Sequence, residues 1–339
     1  MSWTLRVGSI DGEAWSALLQ RQPHLLFHEP LWARIVGAGL GGKALCLLLE
    51  HDGQVIGGAS GFFLRVLWAR FLYLGFPYGG FLGSTPPGGL LAKLLVDFAR
   101  KENVTRVRIT DGPGMPSTPP DGFCVQPGQT QLLDLARRSA ADLLQTFPKN
   151  IRRDVRRAER SGVRLSPVRD RRDLDEFYSL YLASMRRNQA VPKYGKLLVA
   201  TLYDHVIRCG KGELWLARRN GLAISGVLVV DSAHASHYLL GGSRADTLKY
   251  CPNELLLWQA IRRAVQLGKE FFDVLPSGPQ NPGLARFKSK WGGQDTQADT
   301  LDLVTKPWSQ KLYDTAYRIA GSSPLRSVSC HLRNLRHIR

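Results

Sequence analysis

Residues 269–293 read KEFFDVLPSGPQNPGLARFKSKWGG, and the rest of the chain is read outward from this stretch. Phe271, Phe272, Val274 and Leu275 make a short apolar run of the kind found in a buried strand, and one acid, Asp273, sits inside it. A turn-rich segment follows, Pro276-Ser277-Gly278-Pro279 and then Asn281-Pro282-Gly283. After it comes one amphipathic turn holding Phe287, Lys288 and Trp291. Polar groups at the carboxyl end of a strand, carried on a Gly/Pro loop, are where a rigid scaffold presents reacting side chains. Asp273 reads equally as the partner of a nearby arginine, and Lys288 as an exposed lysine beside a core phenylalanine.

Upstream of that strand, residues 253–267 have helical periodicity, with Asn253 as N-cap, Gly268 just past the end and Leu256, Ala260, Ile261 and Ala264 as the inner face. Before the helix come a strand over 214–217, a turn at Asn220-Gly221 and a return strand over 224–230. The same order occurs nearer the N-terminus. Strands over 44–49 and 55–64 flank His51-Asp52-Gly53; a strand over 71–74, a helix over 88–100 and a strand over 104–109 follow. Gly53, Ile56 and Gly58 recur as Gly221, Ile224 and Gly226 at one constant offset. The spacing predicts two copies of one α+β unit. Domains are expected over 1–165 and 166–294, with 295–320 packing back on the first and 321–339 as a basic tail. The glycine cluster at Gly37 to Gly42 follows a helix, so it reads as a helix stop and not as a dinucleotide fingerprint.

At 44% hydrophobic and 22% charged residues, the 339-residue chain has an ordinary globular composition. Charge is the outlier: 46 basic against 28 acidic residues give +18, which favours anionic partners such as nucleic acid, phosphorylated metabolites or an acidic membrane surface. Five scattered cysteines offer neither zinc spacing nor a disulfide framework, so a reducing cytoplasm and no metal are expected. No apolar run suits a signal peptide or a membrane span. The expected location is the cytoplasm, with peripheral contact at the inner face of the membrane.

The positive charge concentrates between the two copies. Phe147-Pro148 opens a helix with Ile151, Val155 and Ala158 inside and Gly162 as its stop. Lys149, Arg152, Arg153, Arg156, Arg157 and Arg160 cover the rest, outnumbering Asp154 and Glu159. Like charges one turn apart repel by a few tenths of a kcal/mol, a cost that a bound phosphate removes. Asp173 reads as the cap of a further helix that ends at Arg186-Arg187.

These residues carry a resemblance. Lys149-Asn-Ile-Arg-Arg-Asp-Val-Arg-Arg-Ala-Glu-Arg-Ser-Gly-Val163 resembles the basic helix of the FemAB-like transferases. Met185-Arg186-Arg187 before Val191-Pro192 is similar to their arginine loop, and Phe271-Phe-Asp-Val with Gly283-Leu-Ala-Arg-Phe-Lys-Ser-Lys-Trp-Gly292 is similar to their ending. The likeness covers about 141–293 and extends more loosely to Phe27–Trp32, Gly53–Gly58 and Pro77-Tyr78. It implies two tandem GNAT-like (acyl-CoA N-acyltransferase) domains of α+β class, each a mixed twisted sheet flanked by helices. It further implies amide-bond formation on an amine of a cell-envelope precursor, a peptidoglycan peptide or an exopolysaccharide. Implied for the site are Phe287 and Lys288 in catalysis and Arg186 on the phosphate-bearing substrate. With it, Lys149, Arg152 and Arg156 of the basic helix are expected to grip the phosphates of a nucleotide- or lipid-linked acceptor or of the donor, and Tyr78 is expected to bind substrate. Aminoacyl-tRNA or acyl-CoA is the implied donor, with no bound cofactor. Two family features lack an equivalent: the lysine expected shortly after Trp32 is not evident, Arg34 being a weak stand-in, and no Q/R-x-x-G-x-G/A pyrophosphate loop follows Leu64 or Val230.

Asp273 is the expected base, or else the residue that orients Lys288. No Ser-His-Asp or Cys-His signature is evident in the sequence, so direct attack without a covalent acyl-enzyme is expected. The competing class is a non-catalytic nucleic-acid or membrane-surface binder built on the same charge.

Overall fold

The structure is a computed structural model that describes residues 2–113, 122–190, 192, 194–277, 282–312 and 315. The expected basic tail at 321–339 lies outside the described residues. The chain divides into two compact units, one of Met1–Pro23, Phe27–Pro127 and Asp299–Arg339, the other of His24–Leu26 and Gly128–Ala298.

The first unit contains β1 (Trp3–Gly8), α1 (Glu13–Arg21), α2 (Pro30–Gly39), β2 (Lys43–His51), β3 (Gln54–Val66), β4 (Ala69–Gly79), β5 (Leu82–Gly83), α3 (Gly88–Lys101), β6 (Arg106–Asp111) and β7 (Cys124–Gln126). The second contains β8 (Gln129–Asp134), α4 (Ala140–Thr146), α5 (Lys149–Arg160), β9 (Arg164–Pro167), α6 (Arg171–Arg187), α7 (Lys196–Leu202), β10 (Gly212–Arg219), β11 (Leu222–Asp231), β12 (Ala235–Ser243), α8 (Pro252–Gln266), β13 (Phe271–Asp273), α9 (Pro282–Ser289) and β14 (Gln294–Gln297). The last strand, β15 (Thr300–Val304), returns to the first unit.

The sheets have orders β1-β2-β3-β4-β6-β15-β7 and β9-β10-β11-β12-β13-β8-β14. Both are antiparallel except at one central pair, β4 with β6 and β12 with β13. A parallel pair needs a crossover, which α3 supplies in one unit and α8 in the other. Each sheet is completed by a strand from elsewhere in the chain: β15 beside β6, and β8 beside β13. The alternation of β2 shows how the first core is layered. Leu45, Leu47 and Leu49 pack with Leu91, Leu95 and Phe98 of α3, while Cys46 and Leu48 pack with Trp15 and Leu18 of α1.

The repeated glycines have matching physical roles. Asp52-Gly53 (φ 49° and 81°) and Asn220-Gly221 (φ 51° and 77°) both take the left-handed pair of a two-residue hairpin. A Cβ on Gly58 would lie 2.5 Å from the Leu47 carbonyl oxygen and 3.1 Å from the Trp15 ring; on Gly226 it would lie 2.6 Å from the Phe177 ring. In each unit this glycine lets a helix side chain settle on the sheet.

Three local expectations change. The first boundary falls at Pro127/Gly128 and not at 165, because α5 packs Ile151, Val155 and Ala158 into the core that holds Leu257, Ala260 and Ile261 of α8. Helix α6 is capped by Asp170, whose side chain accepts from the Asp173 N–H, while Asp173 accepts from the Arg169 N–H. Helix α8 starts one residue early, at Pro252 after Cys251, leaving Asn253 to accept from the Ser225 hydroxyl at 2.6 Å.

Strand β15 is pinned by charge. Asp302, 3% exposed, receives Arg106 at 2.7 and 2.5 Å, Arg108 at 2.9 and 2.8 Å, and Gln126 at 3.0 Å. Burial alone would raise the Asp302 carboxyl, but the hydrogen bonds from Arg108 and Arg106 outweigh it and hold the group below its ordinary value. Asp302→Ala leaves two arginines without their shared partner and should cost roughly 2–4 kcal/mol in urea unfolding at pH 7. Because the folded carboxyl is depressed, the stability it contributes is present above the unfolded value and is lost as pH falls through the folded one. The variant and the wild type should therefore converge on acidification.

Candidate active site

Strand β13 is only three residues long, and its neighbours determine what Asp273 meets. In register, Asp273 lies opposite His237 of β12 on one side and Leu132 of β8 on the other. The Asp273 side chain is fully buried. Its Oδ1 accepts from the Thr130 hydroxyl at 2.5 Å and the Leu275 N–H at 2.9 Å, and its Oδ2 lies 2.9 Å from His237 Nδ1. The other imidazole nitrogen, His237 Nε2, is 2.8 Å from the Ser232 hydroxyl, which accepts the Leu26 N–H at 2.8 Å. The structure thus assembles a buried Ser-His-Asp chain that the sequence reading did not foresee. Strand β12 was missed there, and only the parallel pairing of β12 with β13 brings His237 to Asp273.

Past β13 the backbone turns at Leu275, which has φ 57°, a left-handed conformation uncommon for a leucine. In that conformation the Leu275 peptide serves two partners: its N–H goes to Asp273, and its carbonyl accepts Lys288 Nζ at 2.7 Å. Helix α9 carries Lys288 into this position at 5% exposure, with Nζ 5.5 Å from the centre of the Tyr238 ring. A lysine ammonium has three donors, and one is used on Leu275. Phe287 is half-buried against the core of this unit. Trp291 is 1% exposed, packed edge-on to Phe147 at 5.2 Å, and its indole N–H has no hydrogen-bond partner.

Burial dominates the titration of both charges. It pushes Asp273 up to about 7, against the opposing Leu275 N–H and Lys288, and it pushes Lys288 down to about 7, against the opposing Asp273. The two groups share the Leu275 peptide, so they titrate as a coupled pair. His237 is driven down to about 3, chiefly by burial, and stays neutral at physiological pH.

The other expected site residues distribute as follows. Lys149 and Arg156 are exposed on α5, while Arg152 is half-buried, with one N–H on Gln145 at 2.9 Å and its Nε without a partner. Arg186 is exposed at the end of α6. The next residue, Arg187, is the anchored one, donating to the Ser243 carbonyl at 2.7 Å. Tyr78, expected to bind substrate, is instead fully buried in the first unit, edge-on to Phe27 at 5.3 Å. Arg34 Nη1 donates to both carboxylate oxygens of Asp11 at 2.8 Å. Asp273, expected as a base, has no exposed surface and already accepts from its neighbours, which suits orientation of Lys288 better than proton abstraction from a substrate.

Where an acyl-CoA pyrophosphate loop would precede α8, a 3₁₀ turn at Ala245–Tyr250 intervenes, and α8 opens on Pro252, which has no N–H to offer a phosphate. A cavity of about 690 Å³ in the same unit is lined by Arg171, Arg172, Asp175, Leu180, Leu222 and Arg244 among others, without Lys288. Among the described residues, no three His, Cys, Asp or Glu side chains come together as a metal site.

The coupled pair has a stability signature. Asp273 is raised, so its favourable contribution is complete at acid pH and lost as pH rises through about 7; Lys288 is depressed, so its contribution is complete at alkaline pH and lost as pH falls through about 7. The two together stabilise least near pH 7. An Asp273→Asn/Lys288→Met double variant, compared with wild type by urea unfolding from pH 5 to 9, should gain most or lose least near pH 7. A pH-independent difference would rule out the coupling.

Residues 145–289 match the family model described as "Acetyltransferase (GNAT) domain". Comparison with curated protein sequences yields no match. Among solved structures, FemX superposes with a TM-score of 0.67 at 19% identity, covering 91% of this chain and 99% of its own. A tandem GNAT protein from the clavulanic acid biosynthesis pathway gives 0.60 at 13%, covering 90% and 99%. The C-terminal domain of a putative lysylphosphatidylglycerol synthetase from Agrobacterium fabrum gives 0.53 at 12%, covering 90% and 94%. At such identities the likeness is one of fold. The fold of the chain is that of tandem GNAT proteins, and residues 145–289 match a GNAT acetyltransferase domain.

Proposed function

We propose that the protein is an acyl- or aminoacyltransferase that forms an amide on an amine of a cell-envelope precursor. The observation that carries this reading is Lys288, a buried cation with spare donors, held on the Leu275 carbonyl at the end of β13 in a GNAT domain. The FemX-like fold and the likeness to a putative lysylphosphatidylglycerol synthetase support an envelope acceptor.

In this mechanism the neutral acceptor amine attacks the donor carbonyl carbon, the C–N bond forms, and the ester C–O or thioester C–S bond breaks. Charge develops on the carbonyl oxygen, and a preorganised ammonium in a water-poor site stabilises it far better than water does. A lysine near pH 7 also suits proton exchange, taking a proton from the attacking nitrogen or giving one to the leaving group. Phe287 walls the site from water. Asp273 orients Lys288 through the Leu275 peptide.

Lys149, Arg152, Arg156 and Arg186 grip the phosphates of the donor or of a nucleotide- or lipid-linked acceptor. Aminoacyl-tRNA is favoured over acyl-CoA as donor, because Pro252 and the 3₁₀ turn replace the pyrophosphate loop. No cofactor is needed. The reaction takes place in the cytoplasm, with peripheral contact at the inner membrane face; among the described residues no helix is long and apolar enough to cross a membrane.

Lys288→Ala should lower kcat about 10²–10³-fold with the circular dichroism spectrum unchanged. Full transfer of labelled aminoacyl groups by the folded variant would remove the assignment, and donor retained without product would make the protein a binder. With three phosphate contacts on α5, log affinity for tRNA should fall against log salt with a slope of about −2 to −3. A flat response would remove tRNA as the donor.

A further inference from the structure

The Ser232–His237–Asp273 chain has the connectivity of a nucleophilic triad, yet its surroundings give it a different task. We propose that Ser232 and His237 are positioning residues that hold Asp273 as a carboxylate and thereby, through the Leu275 peptide, fix Lys288 for transfer. The proposal deepens the transferase reading and rests on it for the role of Lys288; the chain itself rests on geometry alone.

Proton accounting gives the chain its direction. The Leu26 N–H and the Leu275 N–H are fixed donors, at 2.8 Å to Ser232 Oγ and 2.9 Å to Asp273 Oδ1. With the Leu26 N–H on its oxygen, Ser232 directs its own proton to His237 Nε2 at 2.8 Å. The imidazole then carries its proton on Nδ1 and donates to Asp273 Oδ2 at 2.9 Å. Asp273 becomes acceptor-only, with the Thr130 hydroxyl at 2.5 Å as its third donor. The opposite tautomer would bring two N–H donors to Ser232 Oγ and turn its hydroxyl proton away from the imidazole.

A nucleophilic role conflicts with burial: Ser232 is 5% exposed, His237 1% and Asp273 0%. A serine whose oxygen is held by a backbone N–H inside the fold has no path to a carbonyl carbon. Strain points the same way. Leu275 is kept at φ 57° in the interior, and backbone in that region persists where its surroundings over-determine it. Here the surroundings are Asp273 on one side of the peptide and Lys288 on the other. The charged and titratable groups near His237 and Asp273 are Asp231, paired with Arg263 at 2.8 Å, Lys269 ahead of β13, Tyr238 next along β12, and Lys288 on α9. Burial keeps His237 neutral among them, so the chain is not a pH switch of its own.

The test uses the full chain with ¹⁵N-labelled histidine and ¹³C-labelled lysine followed by NMR from pH 5 to 9. The expected result is a non-titrating His237 in the Nδ1–H tautomer, and a Lys288 midpoint that falls by at least about half a pH unit in His237→Leu. The sign follows because losing an N–H donor favours protonated Asp273, which removes the negative charge that holds the Lys288 proton. His237→Asn, whose amide N–H replaces the imidazole Nδ1–H, should recover most of the shift, and the pH profile of transfer should move with it. A His237 that titrates between pH 5 and 8, an Nε2–H tautomer, an unmoved Lys288 midpoint, or an acyl group on Ser232 in quenched reactions would overturn the proposal. If His237→Leu does not fold, the tautomer in the unmutated protein decides. An active Lys288→Ala would refute the transferase assignment and leave the measured tautomer to judge the chain separately.

Discussion

Burial of one acid, Asp273, organises the second unit. A carboxyl group taken out of water is costly unless its oxygens are met, and Asp273 has hydrogen-bond partners from three directions: β8 through Thr130, β12 through His237, and its own strand's exit through Leu275. Those contacts require β13 to be inserted between β8 and β12, and they require the chain to leave β13 with Leu275 left-handed. The left-handed turn in turn aims a carbonyl at Lys288. One buried acid therefore links strand order, loop conformation and the placement of the only lysine proposed to act in chemistry.

The duplicated plan explains why such an arrangement is available. In both units a parallel pair lies at the centre, crossed by one helix, with an antiparallel strand from a distant part of the chain on its far side. The corresponding places are occupied differently. In the first unit the incoming strand β15 carries Asp302 to surface-facing arginines, Arg106 and Arg108, and the result is an ionic clamp. In the second unit the incoming strand β8 carries Thr130 to the buried Asp273 of the candidate site. The same position of the scaffold thus holds an ion cluster in one unit and a buried hydrogen-bond chain in the other.

The cationic helix α5 is a separate device. Its inner face, Ile151, Val155 and Ala158, is committed to the core, so the remaining positions have no apolar work and are free to carry charge. Among the described residues, Arg153 alone of the α5 cations has an acid on the same helix as a partner, the adjoining Asp154 at 3.2 Å. That imbalance is what an anion-binding helix needs, and it agrees with a protein whose net charge is +18.

Periodicity alone determined the hairpins, the crossover helices and the repeat, because each depends on neighbours within a few residues: Asp52-Gly53 and Asn220-Gly221 must turn, and the apolar stripe of α8 must pack. The motif around Phe287 and Lys288 was legible for the same local reason, as was the charge of α5. Tertiary structure decided everything that depends on which strands lie side by side. It moved α5 into the second unit, buried Tyr78, anchored Arg187 rather than Arg186 on the Ser243 carbonyl, and joined Ser232 and His237 to Asp273 across a parallel pair 36 residues apart in sequence. Burial and long-range hydrogen bonding are properties of the packed sheet. No pattern within a single segment encodes them.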